Sequence, residues 1–131
     1  MTTILLAIDT NVERAKAQVD SITELPLARE DTDLVLYHVF RADDDGAEAR
    51  NLKSVSEAIE RLEGAGFEVS VEQSSGDAVE EVLNAAERVG ADIISLAGRK
   101  RSPTGKALFG SVSQDIVLKS GRTVLLETTD E

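Results

Sequence analysis

The chain has 131 residues, a formal net charge of −11, 41% hydrophobic residues and no cysteine. This length and apolar content predict one domain, spanning 1–131, with a substantial core, and they argue against disorder. The charge disfavours nonspecific binding to nucleic acid or anionic lipid, and the lack of cysteine excludes disulfides, cysteine–zinc sites and thiol catalysis.

The chain lacks the patterns of a targeting or membrane segment. No apolar run approaches the roughly 20 residues that a membrane span needs. The first apolar run ends at Asp9 and no basic segment precedes it, so we expect no signal peptide and a cytoplasmic protein. The 25 acidic residues far outnumber the lysines, which favours the hypothesis of a halophilic protein kept soluble by a hydrated acidic surface.

Five apolar segments alternate with four segments of helical periodicity. The predicted elements are a strand at 3–8, a helix at 11–24, a strand at 33–40, a helix at 48–63, a strand at 67–73, a helix at 77–90, a strand at 92–97, a helix at 111–121 and a strand at 122–127. Strands that alternate with helices predict an α/β fold, in which one parallel sheet carries helices on both faces.

Helix ends are indicated by polar pairs and by glycines. Three helices begin near residues with the spacing of an N-cap or capping box: Thr10 with Glu13, Asp77 with Glu80, and Ser111 with Gln114. Gly64 or Gly66 is expected to close the second helix in the left-handed conformation, and Gly90 to end the third.

Two strands end in distinctive polar chemistry, the first at Asp9 and the fourth at Gly98. In open parallel sheets, ligands bind at the carboxyl ends of the strands where the strand order reverses. Placing these two strands side by side gives the order 3-2-1-4-5 for the five strands, with a cleft between strands 1 and 4. The alternation of Phe67, Val69 and Val71 agrees with an edge position for the third strand.

A basic loop follows the fourth strand. The stretch 93–114 contains no acidic residue, although an even spread of the acids would place about four there. A helix start favours anions, because its backbone N–H groups lack intrahelical partners and the helix dipole is positive there. The candidates for binding phosphate are Gly98, Arg99, Arg101, Gly105, Lys106, Gly110 and Ser111. A solvated loop that balances the acidic surface is the alternative.

Other patterns do not define a site. Six residues separate Gly98 from Gly105, and Ala107 replaces the hydroxyl residue that would hold Mg²⁺, so this is not a Walker A motif. His38 has no Ser or Cys constellation around it, so we expect a structural histidine and no hydrolase triad. The acidic run 43–45 is expected to be a solvated turn.

Four segments resemble the universal stress protein family. They are ILLAIDTN at 4–11, VLYHVF at 35–40, GDAVEEVLNAAERVGADIISLAG at 76–98, and FGSVSQDIV at 109–117. The resemblance implies a five-stranded parallel α/β fold and, as in many members, binding of ATP or another adenine nucleotide, with or without Mg²⁺. It also implies a homodimer formed through the last strand, at Val124, Leu125 and Leu126.

The resemblance also implies roles for the residues at the ends of the first two strands. Asp9 would contact the nucleotide near the sugar, and the backbone of Val39 would meet adenine, with Ala7 and Ile8 lining the same pocket. Helix capping is the alternative role for Asp9, and simple core packing is the alternative for the three apolar residues.

The chain departs from the glycine motif of the ATP-binding branch, which is Gly, two residues, Gly, nine residues, then Gly-Ser or Gly-Thr. Gly98 and Gly110-Ser111 match, but Arg101 stands at the second glycine and only residues 102–109 precede Gly110. The leading hypothesis is a regulatory protein that binds an adenine nucleotide without efficient hydrolysis and is not an enzyme. The alternatives are a dimeric interaction module that binds no nucleotide and a weak phosphohydrolase.

Overall fold

The computed structural model of the protein describes residues 1–41, 46–100, 107–108 and 110–129. The helices and strands in these ranges are β1 Thr2–Ala7, α1 Val12–Glu24, β2 Thr32–Phe40, α2 Lys53–Gly64, β3 Glu68–Ser75, α3 Ala78–Val89, β4 Ile93–Lys100, β5 Ala107–Leu108, α4 Ser111–Lys119 and β6 Thr123–Thr129. Short 3-10 turns occupy Arg29–Asp31 and Ala49–Asn51. None of the described helices has the length and apolar character of a membrane span.

The sheet contains five parallel strands in the order β3-β2-β1-β4-β6. This confirms the predicted α/β class and the predicted order 3-2-1-4-5, in which the fifth predicted strand is β6. It also confirms the edge position of β3. The two-residue β5 was not predicted, and it pairs antiparallel with Arg99 and Lys100 at the carboxyl end of β4.

The helices form a layer on each face of the sheet. Because successive strand residues point to opposite faces, Ile4 and Leu6 pack against α1 and α2, whereas Leu5 packs on the side of α3 and α4. All three side chains are fully buried, so β1 is covered on both faces as its continuous apolar run predicted. The central position of β1 places its carboxyl end next to those of β2 and β4.

The capping boxes predicted for α1 and α4 are wrong. Asn11, and not Thr10, is the N-cap of α1, and its Oδ1 accepts from the backbone N–H of Arg14 at 2.9 Å. Gly110 is the N-cap of α4, which makes Ser111 the first helical residue and leaves it without a capping bond. Both helices therefore begin one residue away from the position that the polar pairs indicated.

The other predicted caps agree more closely with the structure. Asp77 caps α3 by accepting from the N–H of Glu80 at 2.9 Å, and Gly90 ends that helix with a φ of 65°. After α2, Gly66 is the left-handed glycine, with a φ of 96°. The start of α2 was predicted too early, because 49–51 form a separate 3-10 turn held by the side chain of Gln73.

Candidate functional site

A cleft opens between β1 and β4 at the carboxyl end of the sheet. The β1–β4 pairing ends at Leu6 and Ser95, whereas β1 continues to pair with β2 as far as Ala7. On its other side, β4 pairs with β6 as far as Arg99. The two central strands therefore separate where the strand order reverses, which is where ligands bind in sheets of this kind.

Gln18 of α1 takes the place of strand pairing at this point. Its side chain is 1% exposed, and its Nε2 donates to the carbonyl oxygens of Ala7 at 3.1 Å and Ser95 at 3.2 Å. These carbonyls, partly buried at Ala7 and buried at Ser95, need donors once the strands have separated. The position of Gln18 on the buried stripe of α1, three residues after Ala15 and four before Ile22, is the sequence signal that could have identified it.

The cleft contains a cavity of about 480 Å³. Seven of the predicted site residues line it: Ala7, Ile8, Asp9, Val39, Gly98, Gly110 and Ser111. Arg99 belongs to β4, and its backbone pairs with Leu108 and Thr129. The predictions for Arg101, Gly105, Lys106 and the 43–45 turn concern positions outside the part of the chain that the structure describes.

Several residues that the sequence did not single out as ligand contacts also line the cavity. Buried apolar side chains form much of its wall, including Val82, Leu96 and Ile116. Tyr37 joins them, and its hydroxyl donates to Oγ of Ser74 at 2.5 Å. This wall offers an aromatic ligand a surface that is largely apolar.

The Asp9 carboxylate stands at the edge of the cleft with both oxygens engaged. Oδ1 accepts from the backbone N–H of Asn11 at 2.8 Å, and Oδ2 accepts from Nε of Arg14 at 2.9 Å. From α2, the buried Ser54 donates its Oγ–H to the carbonyl oxygen of Asp9 at 2.6 Å. The Asp9 side chain is nevertheless 49% exposed, so a fixed and charge-paired carboxylate faces the opening.

The start of α4 forms the opposite side of the cleft. Gly110, Ser111, Val112 and Ser113 all line the cavity, and the N-cap Gly110 provides no side-chain acceptor for the first-turn N–H groups. Ser113 is turned to β4, where its Oγ–H donates to the carbonyl oxygen of Ala97 at 3.1 Å. A helix start without a capping side chain favours an anion at this position.

His38 lines the cavity and forms a hydrogen bond between two strand ends. Its Nδ1 is 2.6 Å from the carbonyl oxygen of Ile8, and its ring packs edge-on against Phe40 at 4.5 Å between centroids. A carbonyl oxygen can only accept, so Nδ1 carries the proton of this hydrogen bond. The histidine thereby holds the ends of β1 and β2 together, in agreement with the structural role expected for it.

The fold is that of an α/β protein with a cleft at the point where the strand order reverses. Residues 1–126 match the universal stress protein family. A universal stress protein of Mycolicibacterium smegmatis is 34% identical over 100 residues, which are 74% of this chain and 76% of the relative. The chain therefore belongs to the universal stress protein family, and the resemblance seen in its sequence is confirmed.

Solved structures of the family share the fold along nearly the whole chain. A universal stress protein in complex with cAMP has a TM-score of 0.74 and 20% identity, with 98% of each chain covered. An AMP-bound family member from Arabidopsis thaliana has a TM-score of 0.74 and 15% identity, with 99% of this chain and 93% of that chain covered.

Proposed function

We propose that this protein is a regulatory protein that binds an adenine nucleotide in the cleft between β1 and β4 and does not hydrolyse it efficiently. The observation that carries the proposal is that an apolar wall, the Asp9 carboxylate and the start of α4 meet in one cavity. Its volume of about 480 Å³ is within the usual range of small-molecule sites. The cAMP and AMP complexes of the two family members support adenine as the base.

Each part of the cavity suits one part of a nucleotide. The apolar lining near Ala7, Ile8 and Val39 would accept the base. Asp9 has free acceptor sites for sugar hydroxyls, because each carboxylate oxygen can accept a further hydrogen bond beyond its described one. The N–H groups at the start of α4, near Ser111, would bind a phosphate.

The absence of efficient hydrolysis is part of the proposal. A general base must be within reach of a water molecule and free to take its proton. The Asp9 carboxylate is held in place by the backbone N–H of Asn11 and by Nε of Arg14, so moving it toward a water molecule would break bonds at the turn after β1. Among the residues that the structure describes, no group of three or more His, Asp or Glu side chains is placed to hold a metal ion that would activate water. Both points support binding without efficient hydrolysis.

We also propose that two copies associate through β6. Among the described strands, β6 pairs only with β4, so one of its edges has no described partner. Its residues Val124, Leu125 and Leu126 are only partly buried. A second β6 would pair the free backbone groups and cover these side chains, as edge strands require.

A second candidate function is an interaction module that binds no nucleotide. The observation that favours it is the part of α4 away from the cavity, where Val117 and Leu118 are 40% and 73% exposed. Exposed apolar residues on one helix suit contact with another protein. In this alternative, the Asp9–Arg14 pair would serve only to fix the turn after β1.

Calorimetry with ATP, ADP and AMP, with and without Mg²⁺ and at low and high salt, tests the proposal. The variant Ala78→Phe places a large side chain at the cavity wall and should weaken binding at least about tenfold. Ala17→Phe is the matched control, because Ala17 lies on α1 and does not line the cavity. Wild-type protein that binds none of the nucleotides would favour the interaction module, and equal binding by Ala78→Phe would place the ligand elsewhere.

A phosphate-release assay separately tests the proposal that the protein does not hydrolyse the nucleotide efficiently. We expect no release of phosphate from ATP above the rate without protein. Turnover that disappears in Asp9→Asn would contradict this and would favour the weak phosphohydrolase.

A further inference from the structure

Arg14, in the first turn of α1, lines the same cavity as the proposed ligand-binding residues. Its backbone N–H donates to the N-cap Asn11, and its Nε donates to Oδ2 of Asp9 at 2.9 Å. Its side chain is only 17% exposed. The cap of α1 therefore fixes the backbone of Arg14, and the bond from Nε holds its guanidinium beside Asp9 at the cleft.

The bond to Asp9 leaves most donors of this guanidinium available. The remaining N–H groups are on Nη1 and Nη2, and no acceptor within the described ranges lies within hydrogen-bond distance of them. The Nη atoms are not among the buried atoms without a partner in the described residues, so they keep contact with solvent, and a ligand oxygen can take the place of water on them. The planar fork of a guanidinium matches the oxygens of a phosphate.

Arg14 also changes the charge that a ligand meets. The protein carries a net charge of −11, and an unpaired Asp9 at the cleft edge would repel a phosphate. The ion pair cancels this local charge, and the start of α4 adds a second feature that attracts anions to the same cavity. The cleft is thus suited to an anionic ligand although the protein as a whole is acidic.

We propose that Arg14 determines the preference of the cleft for a phosphorylated ligand over the corresponding nucleoside. Its Nε remains on Asp9, while its Nη groups donate to phosphate oxygens. This inference rests on the nucleotide-binding function proposed above and adds a specificity-determining residue from α1, which lies on the opposite face of the sheet from α4.

Calorimetric titration of AMP and adenosine against four proteins tests the inference. Wild-type protein should bind AMP more tightly than adenosine. Arg14→Gln should weaken AMP about tenfold and adenosine less than about twofold, since only AMP has the phosphate. Arg14→Lys should retain part of the preference for AMP. Arg88→Gln removes the same charge from a surface ion pair with Glu72 and should change neither affinity.

The outcomes separate this inference from the proposed function. If Arg14→Gln weakens AMP and adenosine equally, Arg14 acts only by holding Asp9, and the inference is overturned. It is also overturned if neither affinity changes. If wild-type protein binds neither ligand, the proposed nucleotide-binding function itself fails.

A second measurement uses only the wild-type protein, in case Arg14→Gln does not fold. Raising the KCl concentration should weaken AMP binding and leave adenosine binding nearly unchanged, because screening acts on the contact between charges. Equal salt dependence for AMP and adenosine would overturn the inference.

Discussion

The buried carboxamide of Gln18 donates to the carbonyl oxygen of Ser95 at 3.2 Å, across 77 positions of the chain. The same Nε2 donates to the carbonyl oxygen of Ala7. One side chain of α1 thus bridges the two strands at the point where their own pairing stops. Opening a cleft in a parallel sheet exposes backbone groups that need partners, and here a helix supplies the missing donor.

Replacing Gln18 with leucine should lower the free energy of unfolding by about 1–3 kcal/mol. Leucine is similar in size but cannot donate, so the carbonyl oxygens of Ala7 and Ser95 would lose their described side-chain donor. Urea denaturation followed by circular dichroism measures the change. Gln114→Leu is the control, because Gln114 is exposed on α4, and it should stay within about 0.5 kcal/mol of wild type. If the two variants lose equal amounts of free energy of unfolding, the hydrogen bonds of Gln18 do not stabilise the protein as proposed.

Replacing Asp9 with asparagine should weaken AMP binding about tenfold, because the variant loses a charged acceptor for the sugar and its ion pair with Arg14. Calorimetry measures the affinity. The control is Asp92→Asn, since Asp92 accepts from the N–H of Thr3 at 2.8 Å at the amino end of the strands, far along β4 from the cleft.

Asp92→Asn should alter AMP affinity less than about twofold, although it weakens a hydrogen bond that contributes to stability. If Asp9→Asn changes only the free energy of unfolding, Asp9 serves to fix the turn before α1. That result would support the capping role considered from the sequence.

The architecture could be predicted because the apolar patterns reflect burial directly. The run in β1 is continuous since both of its faces are covered, and helical spacing marks the inner faces of the helices. The choice between Thr10 and Asn11 as the cap of α1 could not be made this way. Both residues have suitable side chains, and the bond from the Asn11 N–H to Asp9 is what places Asn11 at the cap.

The candidate site could be predicted in part for a similar reason. Asp9 and Gly98 stand out because each follows a buried strand and breaks its apolar pattern. Arg14 and Tyr37 give no such signal, since a charged residue on a helix and an aromatic residue in a strand are common in any domain. Their place at the cleft depends on how α1 and β2 pack around β1, which local patterns do not show.

Light scattering should give a mass of roughly twice the 14.0 kDa of the chain, because one edge of β6 has no partner among the described strands and a second copy would pair with it. The variant Val124→Glu adds a charge to the partly buried side of this strand and should shift the mass toward that of one chain. Thr2→Glu is the control, since it adds the same charge to β1, which pairs on both sides. If the wild-type protein has the mass of one chain, the proposal of a dimer is wrong.

Raising the KCl concentration should increase the free energy of unfolding, because the net charge of −11 disfavours the compact state through self-repulsion. Urea denaturation at a series of KCl concentrations measures this. Simple screening is largely complete at a few tenths molar, where the Debye length has fallen below about 8 Å. A free energy of unfolding that continues to rise up to about 2 M KCl would therefore indicate the hydrated acidic surface of a halophilic protein. A free energy of unfolding that stops rising at low salt would indicate screening alone. If the protein unfolds no more readily in low salt than in molar KCl, the halophilic hypothesis is wrong.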